Sequence, residues 1–288
     1  MGVLARAALV VGLVASAACA TGTGADTDLG GPADLPDGAP GTDHDSGVPG
    51  DASADARTDA SDAAADACST ALAKITFDFE TGAQGWTHGV SDSLVVPPAP
   101  SWPYDAWAQG TTTIGTPCKS GKCFGNELTQ NYLQCTRGYL MSPALDLAAC
   151  KGRSVALVFQ HAYAFWTGSY KGTVYADGGV VEVSADGTTW VVPQGTYPGT
   201  VKINPDQGAA YACYQGNTFS VSNKQGFVGK QATTVKAELT LPAATLTDKL
   251  RVRFSTGAGV STATTNQNTA RAGTDFGWRI DDVGFVAK

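Results

Sequence analysis

Carboxylates occur where the pattern otherwise predicts buried strands, near both ends of the folded part of the chain. The sequence GWRIDDVGF, 277–285, sets Asp281 and Asp282 side by side in an apolar run. In KITFDFE, 74–80, Asp78 and Glu80 share one face of a predicted strand, opposite its apolar residues. Such carboxylates are candidates for catalysis, for binding a metal ion or for salt bridges.

The two neighbouring aspartates are expected to face opposite sides of their strand, so they cannot serve one site by regular geometry. Asp282 has the same parity as Trp278 and Ile280, which predicts that it points inward. Asp281 has the parity of Arg279, and pairing between these two side chains is the simple alternative to a functional role.

Aromatic side chains outside clear strand patterns are the second group of candidates. Trp166 and Tyr170 lie in FWTGSYKG, and SWPYDAWAQG contains Trp102, Tyr104 and Trp107. Sugar rings stack on exposed Trp and Tyr rings, so such residues are candidates for glycan binding. We expect Trp102 and Trp107 to be buried over the sandwich ends and keep Trp166 and Tyr170 as ligand-binding candidates.

No catalytic motif accompanies these residues. The sequence contains no H-E-x-x-H, no G-x-S-x-G and no phosphate-binding G-x-x-x-x-G-K-[ST] motif. Of its three histidines, His44 lies in a polar segment, and we expect His88 and His161 to have structural roles. We therefore predict no catalytic residues, with a hydrolase as the least favoured alternative.

The N-terminal 67 residues differ in composition from the rest. Residues 1–19 read as an export signal, and its ASAAC ending makes Cys19 a candidate for lipid attachment, with cleavage after ACA as the alternative. Residues 20–67 contain 11 Asp and one Arg, a net charge of −10, which predicts a disordered acidic tether. The remainder is almost neutral and has no basic cluster, so we expect no nucleic-acid partner and membrane contact only through the lipid.

Cysteine usage also indicates an exported protein. Beyond Cys19 there are six cysteines, an even number that fits a disulfide framework. Cys118 and Cys123 enclose the short polar sequence KSGK and are the favoured pair. The others are Cys68, Cys135, Cys150 and Cys213.

Residues 68–288 are predicted to form one all-β domain. The sequence SVALVFQHAYAF is apolar on both parities, as in a central strand, whereas KLRVRFS alternates. Asp186-Gly187 predicts the turn of a hairpin. Many strands with turns between them, and no amphipathic helix, favour a two-sheet antiparallel β-sandwich.

Four motifs in order resemble one family: FDFETGAQGW, GYLMSPALDL, DGGVVEVSADGTTW and GWRIDDVGF. Together they resemble the MAM-like jelly-roll domain that accompanies immune inhibitor A type metallopeptidases. The resemblance implies a jelly-roll β-sandwich that serves as an accessory or adhesion module, with a structural cation. It also implies that the first and last strands meet, which would bring Asp78, Glu80 and Asp282 together as a Ca²⁺ site.

The sequence therefore predicts a non-catalytic recognition or adhesion module for a surface glycan or an extracellular protein. We expect a lipid-anchored protein of the bacterial outer membrane, exposed at the cell surface, with secretion as the alternative. A structural envelope component bound to a partner protein is the alternative function.

Overall fold

The computed structural model describes residues 52–90, 105–133, 136–170, 172–203, 220–259 and 275–288. These residues belong to one compact unit, Asp51–Lys288. They form one α-helix and fourteen strands, which are numbered in chain order. No helix in this described part is long and apolar enough to cross a membrane.

Most of the strands form two six-stranded antiparallel sheets. The first contains, in spatial order, β12 (Lys230–Thr240), β6 (Val155–Ala164), β14 (Gly277–Ala287), β4 (Cys123–Asn126) and β3 (Trp107–Gly110), with β1 (Thr76–Phe77) also paired to β14. The second contains β10 (Gly199–Thr200), β11 (Gln225–Val228), β9 (Gly178–Ser184), β13 (Arg251–Gly257), β5 (Gly138–Met141) and β2 (Thr87–Val90). A separate hairpin joins β7 (Thr167–Tyr170) to β8 (Thr173–Ala176).

The chain crosses repeatedly between the two sheets, as in a jelly roll. It passes from β4 to β5 to β6, and later from β11 through β12 and β13 to β14, changing sheet at each step. The first and last strands pair, with Thr76 opposite Gly284 and Phe77 opposite Val283. The prediction of an all-β, two-sheet antiparallel sandwich is confirmed.

The core lies between the sheets and follows the predicted burial patterns. β6 lies between β12 and β14, and residues on both of its faces are largely buried, as its apolar residues on both parities predict. In KLRVRFS, Leu250, Val252 and Phe254 are fully buried, whereas the two arginines are partly exposed. A large aromatic group centred on Trp278 fills the middle of the core.

The α-helix, α1, spans Ala52–Ala73 and overlaps the segment expected to be a disordered tether. Ten of its 22 residues are alanine, the best helix former, which explains why a segment with few large apolar residues is helical. Its end is held by Leu72, which is buried, and by a disulfide from Cys68 to Cys150. Residues 52–67, for which the sequence predicted disorder, are therefore helical in the structure.

Two predictions of local structure are confirmed. Cys118 and Cys123 form a disulfide. The segment around Asp186-Gly187 closes a hairpin, with Val183 and Val191 exchanging backbone hydrogen bonds. The remaining cysteines, Cys19, Cys135 and Cys213, lie outside the described residues.

Candidate functional site

A β-bulge in β14 decides where the two neighbouring aspartates point. Asp281 pairs with Gln160 and Gly284 pairs with Val158, so β14 has one more residue than β6 over this interval. Asp282 occupies the bulge with a φ of 46° and is exposed, whereas Asp281 is buried. The prediction that Asp282 faces inward is wrong, because the extra residue reverses the strand parity.

The buried carboxylate of Asp281 holds a loop on the outer face of the first sheet. One oxygen accepts a hydrogen bond from the backbone N–H of Ser120 at 3.1 Å, and the other from the N–H of Asp282 at 2.9 Å. Burial raises the pKa of Asp281 to about 6, against the lowering effect of these amides. Its partner is therefore the loop from Cys118 to Cys123, which we call the disulfide loop.

Glu80 holds the same disulfide loop from its other side. Its Oε1 accepts a hydrogen bond from the backbone N–H of Lys122 at 3.1 Å, and the Lys122 ammonium donates to the Glu80 carbonyl oxygen at 3.3 Å. Two carboxylates from opposite ends of the domain thus bind the backbone amides of one exposed loop. This arrangement is a structural clasp for the loop.

Asp78 is directed elsewhere, although it was expected to share a strand face with Glu80. β1 ends at Phe77, and Phe79 has a φ of 58°, so the chain turns between the two acidic residues. Asp78 Oδ1 accepts hydrogen bonds from the Glu80 N–H at 3.2 Å and from Gln84 Nε2 at 2.8 Å. Asp78 is exposed and caps this turn.

The predicted calcium ligands therefore do not converge. Among the described residues, no three His, Cys, Asp or Glu side chains are placed to hold a metal ion. Glu80 accepts from a loop amide, while Asp78 and Asp282 lie apart from it on a groove described below. Calcium requires six to eight oxygen ligands around one point, so this set of residues does not fit the ion.

Asp78 and Asp282 instead line one open groove of about 320 Å³, which we call the acidic groove. It runs beside the paired strands β1 and β14 and continues onto β6. Its lining residues are Thr76, Phe77, Asp78, Val158, Asp282, Val283, Gly284, Phe285 and Val286. The first and last strands meet as the family resemblance implied, and they place two carboxylates on a mostly apolar surface.

Trp166, predicted as a ligand-binding residue, lies at the base of the β7–β8 hairpin. Its backbone N–H donates to the Tyr132 hydroxyl at 2.9 Å, and its carbonyl oxygen accepts from the Asp177 N–H at 3.0 Å. Its indole is partly exposed and lies against Gly168, where an added Cβ would overlap the ring. Tyr170 ends β7, but its side chain is outside the described part.

Of the other predicted aromatic residues, Trp107 alone lies in the described part of the chain. Trp107 is buried, as predicted, and its ring lies 6.2 Å from that of Trp278. Trp102 and Tyr104 lie outside the described residues. On the β7–β8 hairpin, Tyr175 lies beneath the Lys202 ammonium, 5.5 Å from the ring centroid.

The two described histidines have the surroundings of structural residues. His161 is buried, and Trp278 Nε1 donates to its Nδ1 at 3.2 Å. Burial lowers the pKa of His161 to about 4, so the ring is neutral near pH 7. His88 is largely exposed, and its Nδ1 lies 2.6 Å from Asp105 Oδ2.

Arg279 is buried, which sequence parity did not predict. Its guanidinium donates to the carbonyl oxygens of Asn126 at 2.5 Å, Phe276 at 2.9 Å and Glu127 at 3.2 Å. Burial lowers its pKa to about 10. The expected pairing with Asp281 is absent from these contacts; the Asp281 carboxylate accepts from the Ser120 and Asp282 amides instead. Strand alternation places residue 279 on the face opposite Trp278 and Ile280, so the sequence carried no local signal for this burial.

A second buried charge, Glu182, was also missed by sequence reasoning. Arg253 donates to its Oε2 through two nitrogens, at 3.0 and 2.7 Å, and Lys224 Nζ lies 2.6 Å from Oε1. The Arg253 guanidinium lies 4.1 Å above the Trp190 ring. These contacts satisfy the carboxylate on the outer face of the second sheet, so Glu182 has a structural role.

Comparison with known proteins finds distant structural similarity only. No protein-family model matches the chain, and no curated protein matches it. The chain is similar to the K2 cleaved adhesin domain of Lys-gingipain, with 16% identity and a TM-score of 0.38 over 74% of this chain and 97% of that one. The K3 cleaved adhesin domain of Lys-gingipain from Porphyromonas gingivalis W83 gives 18% identity and a TM-score of 0.30, with the same shares covered.

These values assign the chain to no family. The MAM-like resemblance therefore stays a prediction from the four sequence motifs.

Proposed function

We propose that this chain is a non-catalytic recognition module displayed at the bacterial cell surface, and that it binds glycan on the β7–β8 hairpin. Trp166 and Tyr170 are the proposed contact residues. The observation that carries this proposal is the Trp166 indole, which is partly exposed and lies against Gly168. A flat ring held in this way offers the surface on which the apolar face of a sugar stacks.

Neighbouring contacts support this role for the hairpin. Hydrogen bonds to Tyr132 and from Asp177 fix the backbone on both sides of Trp166, which reduces the entropy lost when a ligand binds. A rigid aromatic surface is one of the usual components of a ligand site.

The non-catalytic part of the proposal is supported by how the buried ionisable groups are used. Glu182 is held by Arg253 and Lys224, and Arg279 donates to backbone carbonyls. Asp281 binds loop amides, and His161 accepts from an indole in the core. Each group makes contacts that stabilise the fold.

A glycan array with the full chain tests the proposal. We expect wild-type protein to bind at least one glycan class, and Trp166→Ala to weaken that binding by about tenfold through loss of the stacking surface. Tyr170→Ala should weaken the same interaction. Trp190→Ala is the matched control, because Trp190 is a partly exposed tryptophan on a different loop.

Two outcomes would contradict this function. If wild-type protein binds no glycan but co-purifies stably with an envelope protein, the structural alternative replaces it. Equal losses in the Trp166 and Trp190 variants would instead indicate a general effect on folding.

We further propose that the module is attached through a lipid on Cys19 and stands clear of the envelope on its acidic segment. Like charges extend such a segment, so it keeps the recognition surface away from the membrane. Mass spectrometry of the mature N-terminus should find an acylated Cys19. A mature chain that begins at Thr21 would show ordinary secretion instead.

A further inference from the structure

The acidic groove is a second surface feature, distinct from the β7–β8 hairpin. Its floor is open because Gly284 contributes no side chain at the point where β14 lies between β1 and β6. A Cβ built on Gly284 would meet only the Ile75 carbonyl oxygen at 3.5 Å and side-chain methyls of Thr76 and Val158 at 3.9 Å. Those are ordinary van der Waals distances, so the space above Gly284 is real volume.

The floor and walls of the acidic groove are mostly apolar. Val158 and Val286 are partly exposed in neighbouring strands, and Phe77 is partly exposed on β1. Binding is favoured when a ligand covers such partly exposed apolar side chains, because apolar surface is removed from water. The groove therefore favours the aliphatic part of a ligand.

Two exposed carboxylates indicate that the groove favours a positively charged ligand. Asp78 and Asp282 are both exposed on the acidic groove. Within the part of the chain that the structure describes, neither makes a salt bridge; Asp78 caps its own turn, and the Asp282 backbone N–H donates to Asp281.

We propose that the acidic groove binds a lysine or arginine side chain of a partner protein. The aliphatic stem packs on Val158 and Val286, and the cationic end lies between Asp78 and Asp282. Long basic side chains combine these two properties, since their methylene groups cover apolar surface while the charge stays near water. This site does not depend on the glycan proposal, because the two surfaces share no residue.

The probe is a synthetic peptide, Ac-Gly-Val-Arg-Val-Gly-NH2, titrated into the ¹⁵N-labelled full chain and followed by NMR. We expect shifts confined to the backbone amides of the acidic groove, among them Thr76, Asp282 and Gly284. The same peptide with citrulline in place of arginine keeps the shape and loses the charge, and it should produce no such shifts.

Variants then separate charge from shape. Asp78→Asn and Asp282→Asn should each weaken peptide binding by about threefold, the size expected for an exposed ion pair. Asparagine tolerates the left-handed conformation of residue 282, so that variant should fold normally. Asp248→Asn, an exposed acid elsewhere, is the matched control and should leave binding unchanged.

Filling the groove gives a test that leaves both charges in place. Gly284→Val should abolish the shifts, since its added methyl groups occupy the groove floor, and circular dichroism checks that the variant is folded. The glycan array result should be the same for this variant as for wild type. Wild-type protein that binds the peptide but no glycan would overturn only the hairpin proposal.

Any of four results would overturn the inference. The first is that the arginine and citrulline peptides shift the same amides equally, and the second is that neither peptide shifts them. Shifts that change with protein concentration alone would assign the groove to a second copy of the chain. Calcium chloride that shifts these amides and displaces the peptide would assign it to a metal ion.

Discussion

The indole N–H of Trp278 donates a hydrogen bond to Nδ1 of His161 at 3.2 Å, between the two sheets. His161 also lies against the Phe227 ring, with the ring centroids 4.6 Å apart. Because Nδ1 accepts this bond, the imidazole must be neutral, and protonation would both break the bond and place a charge in an aromatic core.

This bond predicts one part of the pH dependence of stability. Burial lowers the pKa of His161 from its ordinary value of 6.5 to about 4, so the unfolded chain binds more protons between these values. The contribution of His161 to the free energy of unfolding should therefore rise as pH rises from 4 to 6.5. We expect the free energy of unfolding of His161→Gln, measured in urea at several pH values in this range, to lack the rise that His161 contributes in wild type.

Asp281 predicts the opposite trend over nearly the same range. Burial raises its pKa to about 6 from 3.8, so the folded chain binds more protons between these values. Its contribution to stability is fully present below about pH 4 and falls as pH rises to 6. Asp281→Asn should therefore show a steeper rise of stability with pH than wild type, and an identical pH profile would contradict this assignment.

The two disulfides should differ in their effect on stability. Cys68–Cys150 closes 82 residues, whereas Cys118–Cys123 closes only 5. By the loop-entropy relation, removing the first should cost about 4–5 kcal/mol and removing the second about 2 kcal/mol. Guanidinium unfolding of the two double Cys→Ala variants measures this difference, and equal losses would contradict it.

Two strand glycines offer a matched test of core packing. A Cβ on Gly179 would overlap the Trp278 ring, whereas a Cβ on Gly284 would meet only ordinary contacts. Gly179→Ala should lower the free energy of unfolding by about 1–3 kcal/mol through overpacking. Gly284→Ala should be neutral or slightly stabilising. Similar losses in both variants would show that the Trp278 contact is not the cause.

The arrangement of the acidic side chains predicts no stabilisation by calcium through Asp78, Glu80 and Asp282. Any ion that binds only the folded chain raises its melting temperature. We therefore expect the same melting temperature in excess EDTA and in millimolar calcium chloride. A rise with calcium that Glu80→Gln abolishes would restore the metal site predicted from the family resemblance.

Local patterns in the sequence were sufficient for much of the scaffold. Alternating apolar residues identify the strand in KLRVRFS, and the short spacing of Cys118 and Cys123 predicts their disulfide. The alanine content of Ala52–Ala73 was also a usable local signal for a helix, but the acidic composition outweighed it. These properties depend on residues close together in the chain, so spacing and composition carry them.

The positions of the acidic side chains were decided by the tertiary structure alone. One extra residue in β14 turns Asp282 outward and buries Asp281, and strand periodicity contains no sign of such a bulge. The disulfide loop then joins Glu80 across 42 residues and Asp281 across 161. Contacts at such separations depend on how the two sheets pack, because a one-residue shift in register moves a side chain to the opposite face.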